Sequence, residues 1–537
     1  MRVTNNMIMK NAASNINSTK EIVNKRNTQM TTQKKISKPS DDPVVSVRSL
    51  RLSTTLSQVT QYYEKNIPDA TSWMDVTETA LINMRSTLAD CRTLAVNGST
   101  DSLSQTDRNT ILSQLEAYQT AIFSEANADY AGRTVFTGYR TDSNLTFTED
   151  ETDTSYDITQ SLKVSDVIEQ YRYYDGNVEV PTTQDEVLNN AISDTVETDY
   201  YRVRTAYDGI DEDGLKSLEI TFPDGSTGTW TNGSTTLDMY QEDGTTPATD
   251  ADGNPLSWTV TTYANQTDWA AATTDLGKVV GDDEIVFIEE TGEFVFGANV
   301  SSALMTNDAS MSFEYSKTGF DNGELRPEFY YNCVKTADPM DTKVPVTYTK
   351  FDENGDVINF DIDYAVAAGQ TITVNTEASN VFDSSIQRDL LEMTNAISAS
   401  IKAHDKVDTI KEMLSDANYA DEEYQTKLNE WLDAAQKEAD YADDNTQKLF
   451  NTEIGKIDTY YAKMNLAVTD LGCKCDSLSL TKTRMCDQQE TVEELQSQND
   501  DLDLSQIIID YTAAYTAYQA SLQAAGKLGD ISLLNYI

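Results

Sequence analysis

The sequence predicts a mainly α-helical protein with a β-rich insert: a discontinuous α-helical coiled coil and bundle built from both chain ends, plus a central β-rich outer domain. Three observations predict it. The 537 residues are enough for several hydrophobic cores. Of the 23 glycines, three lie in residues 1–140 and four in 381–537, so turn formers crowd the middle. Charge divides the same way, because residues 141–380 contain 11 basic and 47 acidic side chains while residues 1–140 carry a net +3. The expected domains are a terminal coiled-coil assembly domain (1–45 with 485–537), a long helical-bundle domain (46–140 with 380–484) and an acidic β-rich domain (141–379) with room for two subdomains.

The N-terminal arm opens with Met9, Ile16, Val23 and Met30 spaced by seven. Its half-step positions are Ala12, Thr19, Arg26 and Gln33, so half the seam is polar. Such a stripe buries too little to offset the ordering entropy of a lone helix, and it needs partner helices. Lys38-Pro39 stops it. At Ser40-Asp41-Asp42-Pro43, Asp42 is placed to cap a new helix and Pro43 fits its first position, whose N–H is orphaned anyway. The stripe Leu52, Leu56, Val59, Tyr63, Ile67, Ala70, Met74, Thr77, Leu81, Met84, Leu88, Cys91, Ala95 then runs in steps of three and four. This predicts one helix from Pro43 to Asn97, roughly 80 Å long, ended by Gly98 and bent at Pro68. A further helix, about 106–129, carries Ile111, Leu115, Tyr118 and Ile122 and is expected to fold back on it.

In the centre, short alternating runs such as Leu218–Phe222, Glu284–Ile288 and Thr371–Val374 sit between the turn signals Asp213-Gly214, Asp224-Gly225, Asp252-Gly253 and Asn354-Gly355. Hairpins with one helical interruption, about 184–195, are expected. The C-terminal arm reads as helices over about 384–415, 420–445 and 446–498. A last helix starts at Leu504 and carries the cleanest seam in the chain: Leu504, Ile508, Tyr511, Tyr515, Tyr518, Leu522 and Ala525. Additional apolar residues at Ile507, Ile509, Ala513 and Ala517 imply burial on two sides. The apolar ending with Leu533, Leu534, Tyr536 and Ile537 also needs a cover.

Several function classes are disfavoured. A formal charge of −49 opposes nucleic-acid binding, and no run of 18 apolar residues calls for membrane insertion. Residues 1–40 lack the apolar stretch and cleavage site of a secretory signal, so export is expected to use another route. Five scattered cysteines do not make a disulfide framework. His404, the single histidine, lies in a charged helical stretch and is expected to be solvated. Cys473 and Cys475, two apart, lack zinc-ligand spacing, and the acidic turns fail the calcium-loop template. No phosphate-binding or nucleophile motif occurs. Neither catalysis nor a cofactor or metal is expected.

The segment Pro39, Ser40, Asp41, Asp42, Pro43 resembles the P-S-D-D-P element of the flagellar hook-associated family within the flagellin superfamily. Tyr130 to Thr141, with Gly132, Arg133, Phe136 and Gly138, is similar to that family's G-R-x-x-F-x-G-x-[KR]-T, and Ser532 to Ile537 resembles its ending. The resemblance implies a structural protein at the extracellular junction of hook and filament. Implied partners are hook-associated protein 1, flagellin, further copies of the chain in a ring, and an export chaperone on the C-terminal arm. It also implies export without a cleaved signal. Pattern and resemblance together assign the assembly interface to Met9, Ile16, Val23, Met30, Leu504, Ile508, Tyr511, Tyr515, Tyr518, Leu522, Leu533, Leu534, Tyr536 and Ile537. Two alternatives remain open on the sequence, a flagellin-type filament subunit and, more distantly, a surface adhesin or glycan-binding protein.

Overall fold

The computed structural model describes residues 5–100, 103–175, 178–193, 195–249, 253–272, 280–339, 343–352 and 355–530. The chain divides into two compact units, Met1–Thr71 with Asp363–Thr373 and Lys474–Ile537, and Ser72–Ile362 with Val374–Cys473.

In the first unit, the N-terminal helix Asn5–Thr32 packs along the C-terminal helix Leu504–Asp530. The next helix, Pro43–Gln61, starts where expected: Asp42 accepts from the N–H of Val44 and Val45, and Pro43 occupies the first turn. The expected bend at Pro68 takes another form. A π-helical turn, Tyr62–Asn66, precedes it, with Ile67 N–H donating to Tyr62 O. Proline has no N–H and its ring collides with the carbonyl four residues back, and the wider turn accommodates both. The hairpin Asp363–Ala367 and Gln370–Thr373 joins this unit although it comes from the middle of the chain. Ala365 O accepts from Asn66 Nδ2 at 2.7 Å, Tyr364 OH bonds Asp69, and Gln370 Oε1 accepts from Arg484 at 2.5 Å.

The second unit combines helices with a 12-stranded sheet whose edges are Val346–Tyr348 and Glu169–Asp175. Neighbouring strands run antiparallel except Ser257–Tyr263, which lies parallel to Glu284–Ile288. Period-two alternation divides the core. Ile285, Phe287, Phe294 and Phe296 enter one cluster with Trp230, Trp258 and Phe313, while Val286, Ile288 and Val295 enter another with Tyr200 and Trp269. These strands are therefore buried on both faces. Carboxylates in the acidic turns serve backbone N–H groups: Asp224 accepts from Ser226 N of its own turn at 2.8 Å, and Asp211 from Thr318 N on strand Ser310–Phe320 at 2.8 Å.

On the helical side, Met74, Thr77, Leu81, Met84, Leu88, Cys91 and Ala95 are all fully buried along helix Ile67–Gly98. Helix Gln105–Glu125, closed by a Ser104/Asp107 capping box, packs on helix Ser384–Ser415. The break expected near residue 446 does not exist, since Glu422–Asp500 is one helix of 79 residues. Thr446 Oγ lies 2.7 Å from Ala442 O on its own helix and 3.2 Å from Ala396 O on helix Ser384–Ser415, so its buried hydroxyl is satisfied without ending the helix. Ala403, Val407, Ile410, Leu428 and Trp431 hold Val178 and Val187 in an apolar cluster, and Val187 lies on the short helix Gln184–Asn189. His404, expected to be solvated, is half-buried with Nε2 2.9 Å from Asp443 Oδ2.

Candidate assembly surface

Helix pairing at the chain ends places the predicted residues unequally. On the N-terminal helix Ala12, Ile16, Thr19, Val23, Arg26 and Met30 are half-buried, Gln29 is buried, and Met9 is 48% exposed. On the C-terminal helix Ile507 is buried, and Tyr511, Ala514, Tyr518, Ser521 and Ala525 are half-buried. These positions also alternate steps of four and three, so the seam used within the chain lies beside the one read from the sequence. Tyr511, Tyr518 and Ala525 are common to both. Leu504, Ile508, Tyr515 and Leu522 form a second stripe, each between 44% and 49% exposed, with Ile509 beside it at 60%. One helix packing on one partner can cover only one of two adjacent stripes. Tyr511 and Tyr515, on different stripes, stack with ring centroids 6.0 Å apart. Leu533, Leu534, Tyr536 and Ile537 lie outside the described residues.

The pair is thin. Ile507 is the one fully buried apolar side chain found among the described residues of the two terminal helices. More than half of the large exposed apolar side chains of the described chain fall in the first unit, which holds about a quarter of the residues. Arg26 to Asp510, at 3.4 Å with both side chains about a third open to water, adds little. Alignment comes from the linkers instead. Gln33 takes a left-handed φ of 58°, Leu502 N donates to Gln33 O at 2.9 Å, and Lys35 N donates to Asp500 O at 2.8 Å, a short antiparallel bridge. Gln29 Nε2 donates to Lys35 O at 2.6 Å.

The Pro39–Pro43 motif shapes the following turn. Asp41 Oδ2 accepts from Ser37 N, Ser37 Oγ and Lys38 N, each at 3.1 Å, which holds its carboxyl below the usual range, the Ser37 N–H most of all. Asp42 Oδ1 then accepts from Val44 N at 3.0 Å and Val45 N at 3.2 Å, a cap worth about 1 kcal/mol.

The second motif lies in the second unit. Arg133 covers the rings of Trp73 at 4.9 Å and Tyr130 at 5.4 Å. Phe136 is buried against Phe382, centroids 5.6 Å apart. Gly132 and Gly138 both have positive φ, 76° and 63°, but differ in surroundings. A Cβ on Gly138 would lie 2.9 Å from Phe360 Cβ, whereas one on Gly132 meets nothing within 4 Å. Gly138→Ala is accordingly expected to cost about 2 kcal/mol or more, and Gly132→Ala about 1 kcal/mol, in urea unfolding of the full chain.

One constellation had no signal in the sequence. Strands Glu169–Asp175, Val196–Arg204 and Glu293–Phe296 meet helices Ser384–Ser415 and Glu422–Asp500 through ions. Arg202, 2% exposed, bonds Glu169 at 2.9 Å, Glu293 at 2.7 Å and both oxygens of Glu392 at 2.6 and 2.7 Å. Arg204 bonds Asp389, and Glu392 at 3.0 Å. Lys456 Nζ lies 2.8 Å from Glu169, 3.2 Å from Asp389 and 2.8 Å from Glu453. Burial alone would raise the Glu169 pKa, but Arg202, Arg204 and Lys456 hold it down at about 2. Burial, reinforced by the Asp389 charge, lifts Glu453 to about 8. Asp389, Glu392 and Glu453 have carboxylate oxygens within 4.8 Å of one another, a spacing a divalent cation could use. Here the Lys456 ammonium and the two guanidinium groups already take those oxygens, Glu453 Oε2 excepted.

Residues 3–141 match the bacterial flagellin N-terminal helical region. Flagellar hook-associated protein 3 of Salmonella typhimurium is 27% identical over 143 residues, which is 26% of this chain and 45% of the relative. The Escherichia coli protein of the same name is 29% identical over 115 residues, 21% of this chain and 36% of the relative. The matches thus span less than half the length of these curated relatives. Among solved structures, the flagellar hook associated protein-3 of Legionella pneumophila aligns with 83% of this chain and 97% of its own at 10% identity and a TM-score of 0.29.

Proposed function

From a chain whose residues 3–141 match the flagellin N-terminal helical region, we propose a structural junction protein of the bacterial flagellum. It joins hook, through hook-associated protein 1, to the flagellin filament. It sits outside the cell as copies of itself in a ring, after export with a chaperone on its C-terminal arm. The work is burial, not catalysis. The observation that carries the reading is the apolar stripe Leu504, Ile508, Tyr515 and Leu522, exposed along a helix whose other stripe is already engaged. Full burial of such a side chain is worth about 2 kcal/mol, so a neighbouring subunit gains more from this face than the solitary chain gains from its pair. Met9 and the ends of the N-terminal seam extend the same surface.

The test is addition of the purified full chain to isolated hooks with and without hook-associated protein 1, scored by electron microscopy. Binding at the tip that requires hook-associated protein 1, followed by flagellin growth from the capped tip, is the expected result. Long filaments formed by the purified chain alone would replace the reading with a filament subunit.

A further inference from the structure

The ionic joint of the second unit has a surplus of negative charge that its own cations do not cancel. Three cations, Arg202, Arg204 and Lys456, face five carboxylates, Glu169, Glu293, Asp389, Glu392 and Glu453. Four of the acids have good hydrogen-bond donors. Glu453 is the exception: it is 0% exposed, its Oε1 has only the Lys456 ammonium, 2.8 Å away and shared with Glu169 and Asp389, and its Oε2 has no donor among the described residues. A buried carboxylate in that position is costly, and taking up a proton removes the cost.

We propose that this joint is a proton latch: Glu453 is uncharged while the joint is closed, and its ionisation frees strands Glu169–Asp175 and Val196–Arg204 from helices Ser384–Ser415 and Glu422–Asp500.

Every element packed there sets the balance. Helix Ser384–Ser415 presents Asp389 and Glu392, which repel a charge on Glu453. On its own helix Lys456 attracts one, but that ammonium is shared with Glu169 and Asp389, while Tyr460 spends its hydroxyl on Asp389 Oδ2 at 2.6 Å. From the strands, Arg202 and Arg204 are committed to Glu169, Glu293, Glu392 and Asp389. Nearby cations are also taken: Arg388 pairs with Asp208 at 3.0 Å, Arg108 with Asp443 at 2.8 Å and Arg92 with Asp458 at 2.6 Å. No further cation among these is left to hold a second charge beside Asp389. The folded-state pKa of Glu453, about 8, lies above the unfolded carboxylate value. Its contribution to stability is therefore complete below the unfolded value and is lost as pH rises through about 8.

The experiment is amide exchange of the full chain at pH 6.5 and 9, corrected for intrinsic rate, in the native sequence, Glu453→Gln and Glu453→Leu. In the native chain protection of the two strands is expected to fall roughly thirtyfold between pH 6.5 and 9, the 1.5 units from pH 6.5 up to the folded midpoint near 8 with little further loss above it, while helix Ile67–Gly98 keeps its protection. Either neutral variant is expected to abolish the fall. Glu289→Gln is the control, since burial raises Glu289 to about 7 at a different place in the sheet, and it must keep the fall. Flat protection in the native chain, loss spread evenly through the unit, or an unchanged loss in a folded Glu453 variant each overturns the latch. Should neither variant fold, the distribution of the loss in the native chain decides alone.

Discussion

Arg202→Ala is expected to destabilise the second unit by about 3–5 kcal/mol in urea or thermal unfolding. The side chain is 2% exposed and is the shared partner of Glu169, Glu293 and Glu392, so truncation strands three carboxylates away from water. Most of the loss is the cost of those uncompensated charges, not the strength of any single ion pair. Arg92→Ala removes a pair of comparable geometry, 2.6 Å from Asp458, but both partners are about half exposed, so water screens the pair and the unfolding midpoint should stay nearly where it was. The acid limb supplies a further check. Glu169, near 2, and Asp389, lowered by Arg204 and Lys456 against the opposing effect of burial, are depressed in the folded state. Their contribution is present above the unfolded carboxylate pKa and is lost as pH falls toward 2. Arg202→Ala should flatten that limb, because Arg202 is the strongest cation acting on Glu169.

Ile508→Glu combined with Tyr515→Glu is expected to leave melting of the dilute monomer unchanged within about 0.5 kcal/mol while abolishing addition to hook tips. Both side chains are exposed in the solitary chain, 47% and 44%, so charge there displaces only the stack of Tyr515 on Tyr511. Inside a subunit interface the same charges would be dehydrated without partners, and at about 3 kcal/mol that is more than a hundredfold in affinity. Ile507→Glu is the opposite case. Ile507 is 1% exposed on the neighbouring stripe, and its replacement should strip amide protection from the terminal helices of the monomer itself. A double variant that adds to hook tips normally would remove the exposed stripe from the assembly surface.

Much of the local structure is legible in spacing. The stripe from Ile67 to Ala95 alternates three and four, and the side chains at those positions are fully buried. The Asp42 cap with Pro43, the ends at Gly98 and Ser415, and the strand Glu284–Ile288 follow from residue chemistry within a few positions. A stripe at heptad spacing has one buried side whatever covers it, and a cap involves neighbours only a turn away. The spacing also led astray where two solutions coexist. Steps of four and three can be drawn through Leu504 or through Ile507, and a helix apolar on both lines does not say which one its partner will choose.

Sequence by itself determined the helical ends, the turn-rich acidic middle and the local stops and starts, because each rests on interactions between residues a few positions apart. Tertiary structure decided which tyrosine-bearing stripe pairs within the chain, that hairpin Asp363–Thr373 joins the first unit, and that Arg202 gathers carboxylates from residues 169, 293 and 392. Those outcomes depend on desolvation and charge balance among groups brought together from distant parts of the chain, and neither quantity has a period that a sequence can display.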